Sequence, residues 1–534
     1  MTTLFQRLEN NTARHPDKAA FIYSHNETWT TVTYAQLLDS TQRIASGLLA
    51  CRVTPNMRAA LMTPPSADFF ALAFALLKLG IVPIIIDPAI GLKKVSECLK
   101  ESQPDIFIGN TLTHFLRIIY GWGKDSIKHN LTIPSVERLT LNVQHEITSH
   151  TSNMAAIIYT SGSTGLPKGA LYTHANFTAQ LDMLADTFNI SPDEIDLPAF
   201  PLYALIDALL GVTSVIPDIN FPVPGRTNPE KVLNAIRKFN VTNMFASPVV
   251  LDILSKFQQQ AAGLQSLKRV ITAGAPATVQ LQENFRKLLN DETDLFGIYG
   301  ATEVLPIAKI ESREIFEVKE KSAKGAGVCL GKPINGAQVR IIHISDSAIE
   351  HWQDDLEAPL NVVGEITVQG AAVTESYIAR EKANQLSKIK NGGEIIHRMG
   401  DVGYFDEQGR LWYCGRKSHR VVTHDDVLFT EQIEGIFNAH PLIYRSALVG
   451  VDGEPVLWVE LKKGVRANKD KIKGELIDLA KAHPQASKIK EFLFMKKFPT
   501  DVRHNSKIIR EQLARLAARA LRPSTFNLHP LSLP

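Results

Sequence analysis

The stretch from Tyr159 to Ala170 reads YTSGSTGLPKGA and follows the apolar, β-branched run 154–158. Such a run predicts a buried strand that leads into the stretch. The glycines let backbone N–H groups turn toward a ligand, and five hydroxyl groups and a lysine add further donors. The stretch therefore predicts a polyphosphate-binding loop. It is not a Walker A loop, because Lys168 precedes Gly169 instead of Ser or Thr. A flexible Ser/Gly linker is disfavoured, since such linkers rarely contain Pro-Lys-Gly behind a buried strand.

Length and composition predict a multidomain, cytoplasmic protein. A chain of 534 residues is too long for one core and should form two or more domains. Its net charge of +3 gives no strong field for nucleic acid. The four cysteines lie far apart without a CxxC pattern, which argues against a disulfide framework or a zinc site and suits a reducing compartment.

Nothing in the sequence predicts a membrane segment. The N-terminus lacks the layout of a signal peptide. The apolar stretch 67–86 contains Lys78, Gly80 and Pro83, so it predicts a buried helix followed by a buried strand. No clear amphipathic anchor is visible either.

Strand-like and helix-like patterns alternate along the first 90 residues, which predicts an α/β fold with parallel sheets covered by helices. The segment from about 113 to 152 has no regular pattern and is rich in Thr, Ser, Asn and His. Within it, His145, Glu146 and His150 have the spacing HExxxH, which does not put both histidines on one helix face, so they are interpreted as loop residues.

Further motifs follow the loop in a fixed order. They are Ala273-Gly274-Ala275-Pro276 after a strand, Tyr299-Gly300-Ala301-Thr302-Glu303, Gly364-Glu365, Gly400-Asp401, Gly415-Arg416 and Asn505-Ser506-Lys507. Each motif is weak alone, but the ordered set is specific. The chain resembles the adenylate-forming superfamily, which includes acyl-CoA synthetases, peptide-synthetase adenylation domains and luciferases, and the resemblance covers essentially the whole chain.

The resemblance implies ATP and Mg²⁺ as cofactors and a role for each motif. The β- and γ-phosphates are held by the loop residues Thr160, Ser161, Gly162, Ser163, Thr164, Gly165 and Lys168. Adenine lies between Tyr299, which leads into Gly300 and Ala301, and the segment Gly274-Ala275-Pro276. Thr302 binds the α-phosphate and Glu303 ligates Mg²⁺, which prefers carboxylate oxygen. Asp401 accepts from the ribose hydroxyls, and Arg416 adds a ribose or phosphate contact.

The same resemblance implies a large N-terminal domain, 1–416, and a small, mobile α+β domain, 417–534, joined by a hinge near Ser418. Lys507 is implied as the catalytic lysine that bridges the substrate carboxylate and the α-phosphate. An exposed lysine in a Lys-rich region is the alternative. Catalysis is thus assigned to Lys168, Thr302, Glu303 and Lys507.

The segment 200–205, FPLYAL, predicts either sheet core or, by resemblance, the wall of an acyl pocket. After the hinge, residues 417–434 contain no glycine, whereas acyl-CoA ligases commonly carry a Gly-containing loop for the CoA arm there. Three segments, IDPAIG at 86–91, GRKSHRVV at 415–422 and DVRHNSKIIRE at 501–511, together resemble the β-lactone synthetases of bacterial olefin biosynthesis.

That branch implies adenylation of a long-chain 2-alkyl-3-hydroxy fatty acid, followed by attack of its own hydroxyl to close a β-lactone. His419, His424 and His504 are candidate bases, since imidazole titrates near neutrality. The alternatives are a fatty acyl-CoA or acyl-AMP ligase, an adenylation module for a carrier protein, and a nucleotide-binding relative without catalysis. The implied partners are a hydrophobic acyl substrate and, as a possibility, other enzymes of the same lipid pathway.

Overall fold

The computed structural model describes residues 3–140, 152–160, 165–219, 221, 223–257, 264–465, 468–500 and 507–521. Its α-helices are α1 (Leu4–Arg14), α2 (Tyr34–Ala50), α3 (Ala67–Lys78), α4 (Leu92–Ser102), α5 (Thr111–Tyr120), α6 (Ile133–Thr140), α7 (His174–Phe188), α8 (Tyr203–Leu210), α9 (Pro229–Phe239), α10 (Pro248–Lys256), α11 (Val279–Arg286), α12 (Ser312–Ala323), α13 (Glu381–Ser387), α14 (Thr430–Asn438), α15 (Lys469–Ala482) and α16 (Arg510–Leu521).

The strands of the same residues are β1 (Ala19–His25), β2 (Thr28–Thr33), β3 (Arg58–Met62), β4 (Val82–Ile85), β5 (Ile106–Gly109), β6 (His129–Leu131), β7 (Met154–Tyr159), β8 (Gly169–Thr173), β9 (Ile195–Pro198), β10 (Thr213–Ile216), β11 (Asn243–Ala246), β12 (Arg269–Thr272), β13 (Asp294–Ala301), β14 (Val304–Glu311), β15 (Val328–Pro333), β16 (Gln338–Ile342), β17 (Gly364–Gln369), β18 (Lys388–Asn391), β19 (Glu394–Phe405), β20 (Leu411–Arg416), β21 (Val421–Val422), β22 (Val427–Leu428), β23 (Ile443–Val451), β24 (Glu454–Leu461) and β25 (Glu491–Phe494).

Residue contacts divide the chain into two compact units. The larger unit takes in the described residues of 1–317 and 330–411, and the smaller one those of 318–329, 412–501 and 507–534. Segment 318–329 contains the C-terminal half of α12, which packs closely against α14 of the smaller unit. The segment therefore belongs to that unit. A Cβ at Gly435 would lie 2.6 Å from the Ser322 carbonyl oxygen, so only glycine fits there. The domain limits at 416 and 417 and the rotation about Ser418 stay predictions.

Parallel strands form the centre of the larger unit, as the alternating pattern predicted. One sheet has the order β6-β5-β3-β4-β7-β8, in which only β7 and β8 pair antiparallel. A second runs β10-β9-β11-β12-β13 in parallel, and β14 is antiparallel to β13. Because the carboxyl ends of parallel strands share one edge, the loops after β12 and β13 lie side by side.

The helix and strand predicted within 67–86 are confirmed as α3 and β4. The helix α3 is buried over most of its length, including Phe70, Phe74 and Leu76. Among the helices of the described residues, none has both the length and the apolar character needed to cross a membrane.

Two predictions about local structure are wrong. The segment predicted to be irregular contains α5, β6 and α6. The polar and apolar residues of α5 and α6 lie on opposite faces of each helix, and β6 pairs with β5. The sheet interpretation of 200–205 is also wrong, since Tyr203 begins helix α8, whose Ala204 is buried in the core. The pattern of a short apolar run does not show whether the run forms a strand or a helix. His145, Glu146 and His150 lie outside the described residues.

The smaller unit is α+β. The strand β24 pairs antiparallel with β23 and parallel with β25. One side of this sheet packs on α14 and α15 through Phe437 and Leu476, and the other packs on α16 through Leu513. The unit therefore has its own cores, as an independently folded domain requires.

Candidate active site

The phosphate loop joins β7 to β8, which pair antiparallel up to Tyr159 and Gly169. At its base the Thr160 N–H donates to the Lys168 carbonyl oxygen at 2.9 Å, and the Lys168 N–H donates to Thr160 Oγ1 at 3.1 Å. These two bonds close the loop at its ends and hold Lys168 directly before the start of β8. The predicted phosphate ligands Ser161, Gly162, Ser163 and Thr164 lie outside the described residues. Gly165 follows them as the first described residue of the returning chain.

Glu303 lies in the tight turn between β13 and β14 and is held at both its main chain and its side chain. Its carbonyl oxygen accepts from the N–H of Thr374 at 2.9 Å and from Oγ1 of the same residue at 3.1 Å. Its carboxylate accepts a hydrogen bond from the Tyr377 hydroxyl. The carboxylate is thus buried and oriented before any metal arrives.

The adjacent Thr302 is positioned in a similar way. Its carbonyl oxygen accepts from the hydroxyl of Tyr172, and Gln180 Nε2 donates to that hydroxyl oxygen at 3.1 Å. Tyr172 belongs to β8, the strand that begins at the end of the phosphate loop. The two predicted phosphate-binding elements are therefore connected through one buried tyrosine.

Two lysines share the ring of Tyr377. Lys168 Nζ lies 4.5 Å from the ring centroid and Lys388 Nζ lies 5.5 Å from it. Such cation–π contacts stabilise a positive charge beside the ring. Tyr377 therefore connects the lysine of the phosphate loop with the carboxylate of Glu303.

Lys388 is a buried cation that sequence reasoning missed. Its Nζ donates to the carbonyl oxygen of Thr374, the residue that binds the Glu303 main chain. Burial lowers the pKa of Lys388 to about 7, and the nearby Glu303 charge opposes this shift. No local pattern around β18 distinguishes Lys388 from Lys390, which is exposed on the same strand.

The chemistry of these donors fits Mg²⁺. Within the described part of the chain, no group of three or more His, Cys, Asp or Glu side chains could hold a metal ion. A divalent ion at Glu303 would consequently take its other ligands from water and phosphate oxygens. Mg²⁺ binds in this way at nucleotide sites, through one or two carboxylates.

Tyr299 and Asp401 are brought together although 102 positions separate them. The Tyr299 hydroxyl donates to Asp401 Oδ2 at 2.6 Å. Tyr299 belongs to β13, and Asp401 is a buried residue of β19. Beside them the loop after β12 turns at Gly274, whose φ of 90° is favoured only for glycine. The register places Thr272, the end of β12, opposite Gly297 of β13. Gly274, Ala275 and Pro276 thus follow at the same sheet edge as Tyr299, Gly300 and Ala301.

Lys507 and Arg416 belong to the smaller unit. Directly after Lys507, Ile508 forms a β-bridge with Thr500, and the Ile509 N–H donates to the Pro499 carbonyl oxygen at 2.9 Å. Arg510 then pairs with Glu434 through two partly buried hydrogen bonds, one of them 3.0 Å long. Although burial alone would lower it, the pKa of Arg510 is raised by Glu434. Lys507 itself is half-buried. The residues that follow it are fixed to the smaller unit by these contacts.

The three candidate bases have different surroundings. His419 is mostly buried, and its Nε2 lies 3.5 Å from Glu511 Oε1. Burial and the neighbouring Arg510 lower the pKa of His419 to about 4. His424 has a 97% exposed side chain and contacts the adjacent Asp425. His504 lies outside the described residues.

We expect His419 to make the smaller unit sensitive to acid. Its pKa falls from 6.5 to about 4 on folding, so the unfolded chain binds more protons between these values and stability falls as the pH falls. The loss approaches about 3 kcal/mol near pH 4. Urea unfolding of the full chain at about pH 7 and about pH 4.5 checks this.

The variant His419→Asn should lose much less stability than the wild type between the two conditions. His424→Asn is the matched control, because its side chain is exposed, and it should behave like the wild type. An equal loss in His419→Asn and the wild type would contradict the assignment.

The chain is similar to known proteins in both sequence and fold. The family model described as AMP-binding enzyme matches residues 8–378. The chain is 40% identical to an olefin β-lactone synthetase of Xanthomonas campestris pv. campestris and 38% identical to one of Stenotrophomonas maltophilia, with 91% of each chain covered in both cases. In fold it matches the O-succinylbenzoate coenzyme A synthetase of Bacillus subtilis solved with ATP and magnesium ion. That match has a TM-score of 0.75 and 23% identity, and it covers 95% of this chain and 98% of the other.

Proposed function

The chain belongs to the AMP-binding enzyme family, and we propose that it adenylates a long-chain 2-alkyl-3-hydroxy fatty acid with ATP and then closes the acyl adenylate to a β-lactone. The products are the lactone, AMP and pyrophosphate. The observation that carries this proposal is the similarity to olefin β-lactone synthetases over nearly the whole length of both chains. That similarity extends well beyond the family model, which ends at residue 378.

In the first step a carboxylate oxygen attacks the α-phosphorus and pyrophosphate leaves. Because both reactants are anions, the site has to supply positive charge and hydrogen-bond donors. The proposed donors are the phosphate loop with Lys168, the Thr302 hydroxyl and Lys507. Tyr299, Asp401 and Arg416 would hold the adenine and ribose.

Mg²⁺ bound at Glu303 would neutralise charge on the phosphate oxygens. The surrounding residues of the chain would position the Glu303 carboxylate for metal binding. Thr374 fixes the main chain of Glu303, Tyr377 orients its side chain, and Lys388 holds Thr374 in turn. Tyr377, Thr374 and Lys388 are therefore proposed as positioning residues for metal binding.

In the second step the 3-hydroxyl oxygen attacks the acyl carbon. The bond between that carbon and the phosphate oxygen breaks, AMP leaves with the electron pair, and the hydroxyl proton passes to a base. Holding the hydroxyl against the acyl carbon can supply roughly 7–11 kcal/mol. A pKa of about 4 makes His419 neutral but a weak base near pH 7. Positioning is accordingly proposed to contribute more than proton abstraction.

Mass spectrometry of the products tests the proposal. The protein is incubated with ATP, Mg²⁺ and a 2-alkyl-3-hydroxy fatty acid, with and without CoA. A product lighter than the acid by one water, formed without CoA and together with AMP, is expected. An acyl-CoA product would overturn lactone closure and identify a fatty acyl-CoA ligase with an unusual post-hinge loop. Failure to release AMP would overturn adenylation as well.

We expect Lys388→Met to stabilise the protein while it impairs adenylation. Since folding lowers the pKa of Lys388 from 10.5 to about 7, burying its charge opposes folding at neutral pH. After subtraction of the lost hydrogen bond, the free energy of unfolding should rise by about 2 kcal/mol. This gain should shrink as the pH rises toward 10.5, where the unfolded chain also loses the proton.

The adenylation rate of the same variant should fall about tenfold, because Thr374 and Glu303 lose their support. Urea unfolding and ATP–pyrophosphate exchange measure the two effects. Lys390→Met is the control on the same strand, since Lys390 is exposed and its ammonium group pairs with the exposed Glu350. A destabilised Lys388→Met variant with normal exchange would refute both expectations.

A further inference from the structure

Helix α5 of the larger unit presents an exposed apolar face. The exposed fractions are 62% for Leu112, 59% for Phe115, 72% for Ile118 and 59% for Ile119. Their spacing of three and four residues places these side chains on one side of the helix. Scattered exposed apolar residues are ordinary, but a contiguous group of large ones marks an interaction surface.

The opposite side of α5 is fixed to the body of the larger unit. His114 Nε2 lies 3.0 Å from the Leu131 carbonyl oxygen, and its ring packs against that of Phe107 at 5.0 Å between centroids. Leu116 packs on the buried cluster that contains Phe107 and Trp122. An Asn110 capping box begins the helix, and Gly121 in the left-handed region ends it. The exposed face is consequently held on a rigid support.

The charges around this face are mainly positive, and α5 itself has no carboxylate. Segment 92–131 contains six lysine or arginine residues and four acidic ones. Two of the acids are occupied in ion pairs, Asp105 with Lys128 at 3.0 Å and Glu101 with Arg380 at 2.7 Å. The surface beside the apolar face therefore keeps an excess of positive charge.

Some of these lysines lie near the C-terminal end of α5. Ser96 Oγ of α4 lies 3.4 Å from the Tyr120 carbonyl oxygen. Lys93 and Lys100, three residues before and four after Ser96, share its helix face and are exposed, as is Lys124 just after α5. The exposed ring of Tyr120 stacks on the buried Trp122 beside them, at 6.0 Å between centroids. Apolar side chains, an exposed tyrosine and lysines together are the composition that binds at a lipid interface.

The size of the face argues against a stable dimer. Four large side chains at these exposures present a few hundred Å², about half of the roughly 800 Å² per partner that a standard stable interface buries. A lipid surface does not need a larger area, because interfacial binding combines modest apolar insertion with attraction to anionic headgroups.

We propose that α5 docks the protein reversibly on a membrane surface that contains anionic lipid, with Leu112, Phe115, Ile118 and Ile119 inserted among the headgroups and the neighbouring lysines in contact with lipid phosphates. The helix would lie in the plane of the interface and would not span the bilayer. Docking of this kind would bring the protein to the phase in which long-chain acids are dissolved.

Vesicle co-sedimentation tests the proposal with the full chain and without substrate, so that its outcome does not depend on the proposed reaction. Vesicles of phosphatidylcholine alone are compared with vesicles that also contain phosphatidylglycerol. We expect binding to the anionic vesicles, and weaker binding as salt is raised. The variant Phe115→Ser, Ile118→Ser, Ile119→Ser should lose at least about tenfold in partition coefficient. The variant Lys93→Glu, Lys100→Glu, Lys124→Glu should lose the preference for anionic lipid.

The matched control is Leu360→Ser, Val362→Ser, Tyr444→Ser, which removes exposed apolar side chains elsewhere and should bind like the wild type. Circular dichroism and thermal unfolding show that each variant is folded. The proposal is overturned if the wild type stays in the supernatant with both kinds of vesicle, or if the α5 variant binds as tightly as the control. It is also overturned if size-exclusion chromatography finds a dimer that the α5 substitutions dissociate while no vesicle binding occurs, since a second copy would then cover the face.

Discussion

The variant Glu303→Gln should lose ATP–pyrophosphate exchange by on the order of a thousandfold, about 4 kcal/mol in the activation free energy. Glutamine has the same shape and can still accept from the Tyr377 hydroxyl, so the packing of the turn should persist. It lacks the negative charge that a hard cation requires. The measurement is exchange driven by the hydroxy acid over a range of Mg²⁺ concentrations.

Two comparisons make this result specific for metal binding. Tyr377→Phe keeps the Glu303 charge but removes the hydrogen bond that orients it, so its defect should be smaller and should be relieved in part by more Mg²⁺. Glu311→Gln changes a largely buried carboxylate, paired with Arg313 at the far end of β14, and should leave exchange nearly unchanged. Near wild-type exchange in Glu303→Gln would remove Glu303 from the metal site.

The variant Lys507→Ala should lose adenylation by about a hundredfold to a thousandfold, because the charge that develops at the α-phosphate is left without a cation. If Lys507 acts only in the first step, lactone formation from a synthetic acyl adenylate should stay near the wild-type rate. The two half-reactions are measured separately, by ATP–pyrophosphate exchange and by mass spectrometry of the lactone.

Lys490→Ala is the matched control, because Lys490 is an exposed lysine of the same unit and should matter to neither step. An equal loss in both half-reactions of Lys507→Ala would show that the residue does not serve adenylation alone. Normal exchange would mean that Lys507 is one of the many surface lysines of this region.

Local patterns in the sequence predict the class of fold and several of its elements. The stretch 67–86 was interpreted correctly as a helix and a strand, because Lys78, Gly80 and Pro83 interrupt its apolar character. The same reasoning failed for α5, whose Thr and His residues suggested irregular chain. It also failed for α8, where the apolar run is too short for its period to be read.

In the candidate site, too, some residues can be predicted from local patterns and others cannot. Motifs in the sequence indicate the phosphate-loop residues, the turn at Thr302 and Glu303, and Asp401 as nucleotide-binding residues, and these assignments stay predictions. Their supporting residues could not be found in this way. Tyr377 and Lys388 act on Glu303 from 74 and 85 positions away. Nothing in the residues beside them shows this, because such contacts depend on which strands pair and in which register.

The sequence by itself determined the class of fold, the order of the motifs and the type of group that each motif offers to a nucleotide. These follow from composition, spacing and backbone freedom, which are local properties of a chain. Only the tertiary structure decided that the Tyr299 hydroxyl meets Asp401, that two lysines share the Tyr377 ring, and that one face of α5 is left uncovered. An amphipathic period identifies a face of a helix, but packing of distant elements decides whether that face is buried or exposed.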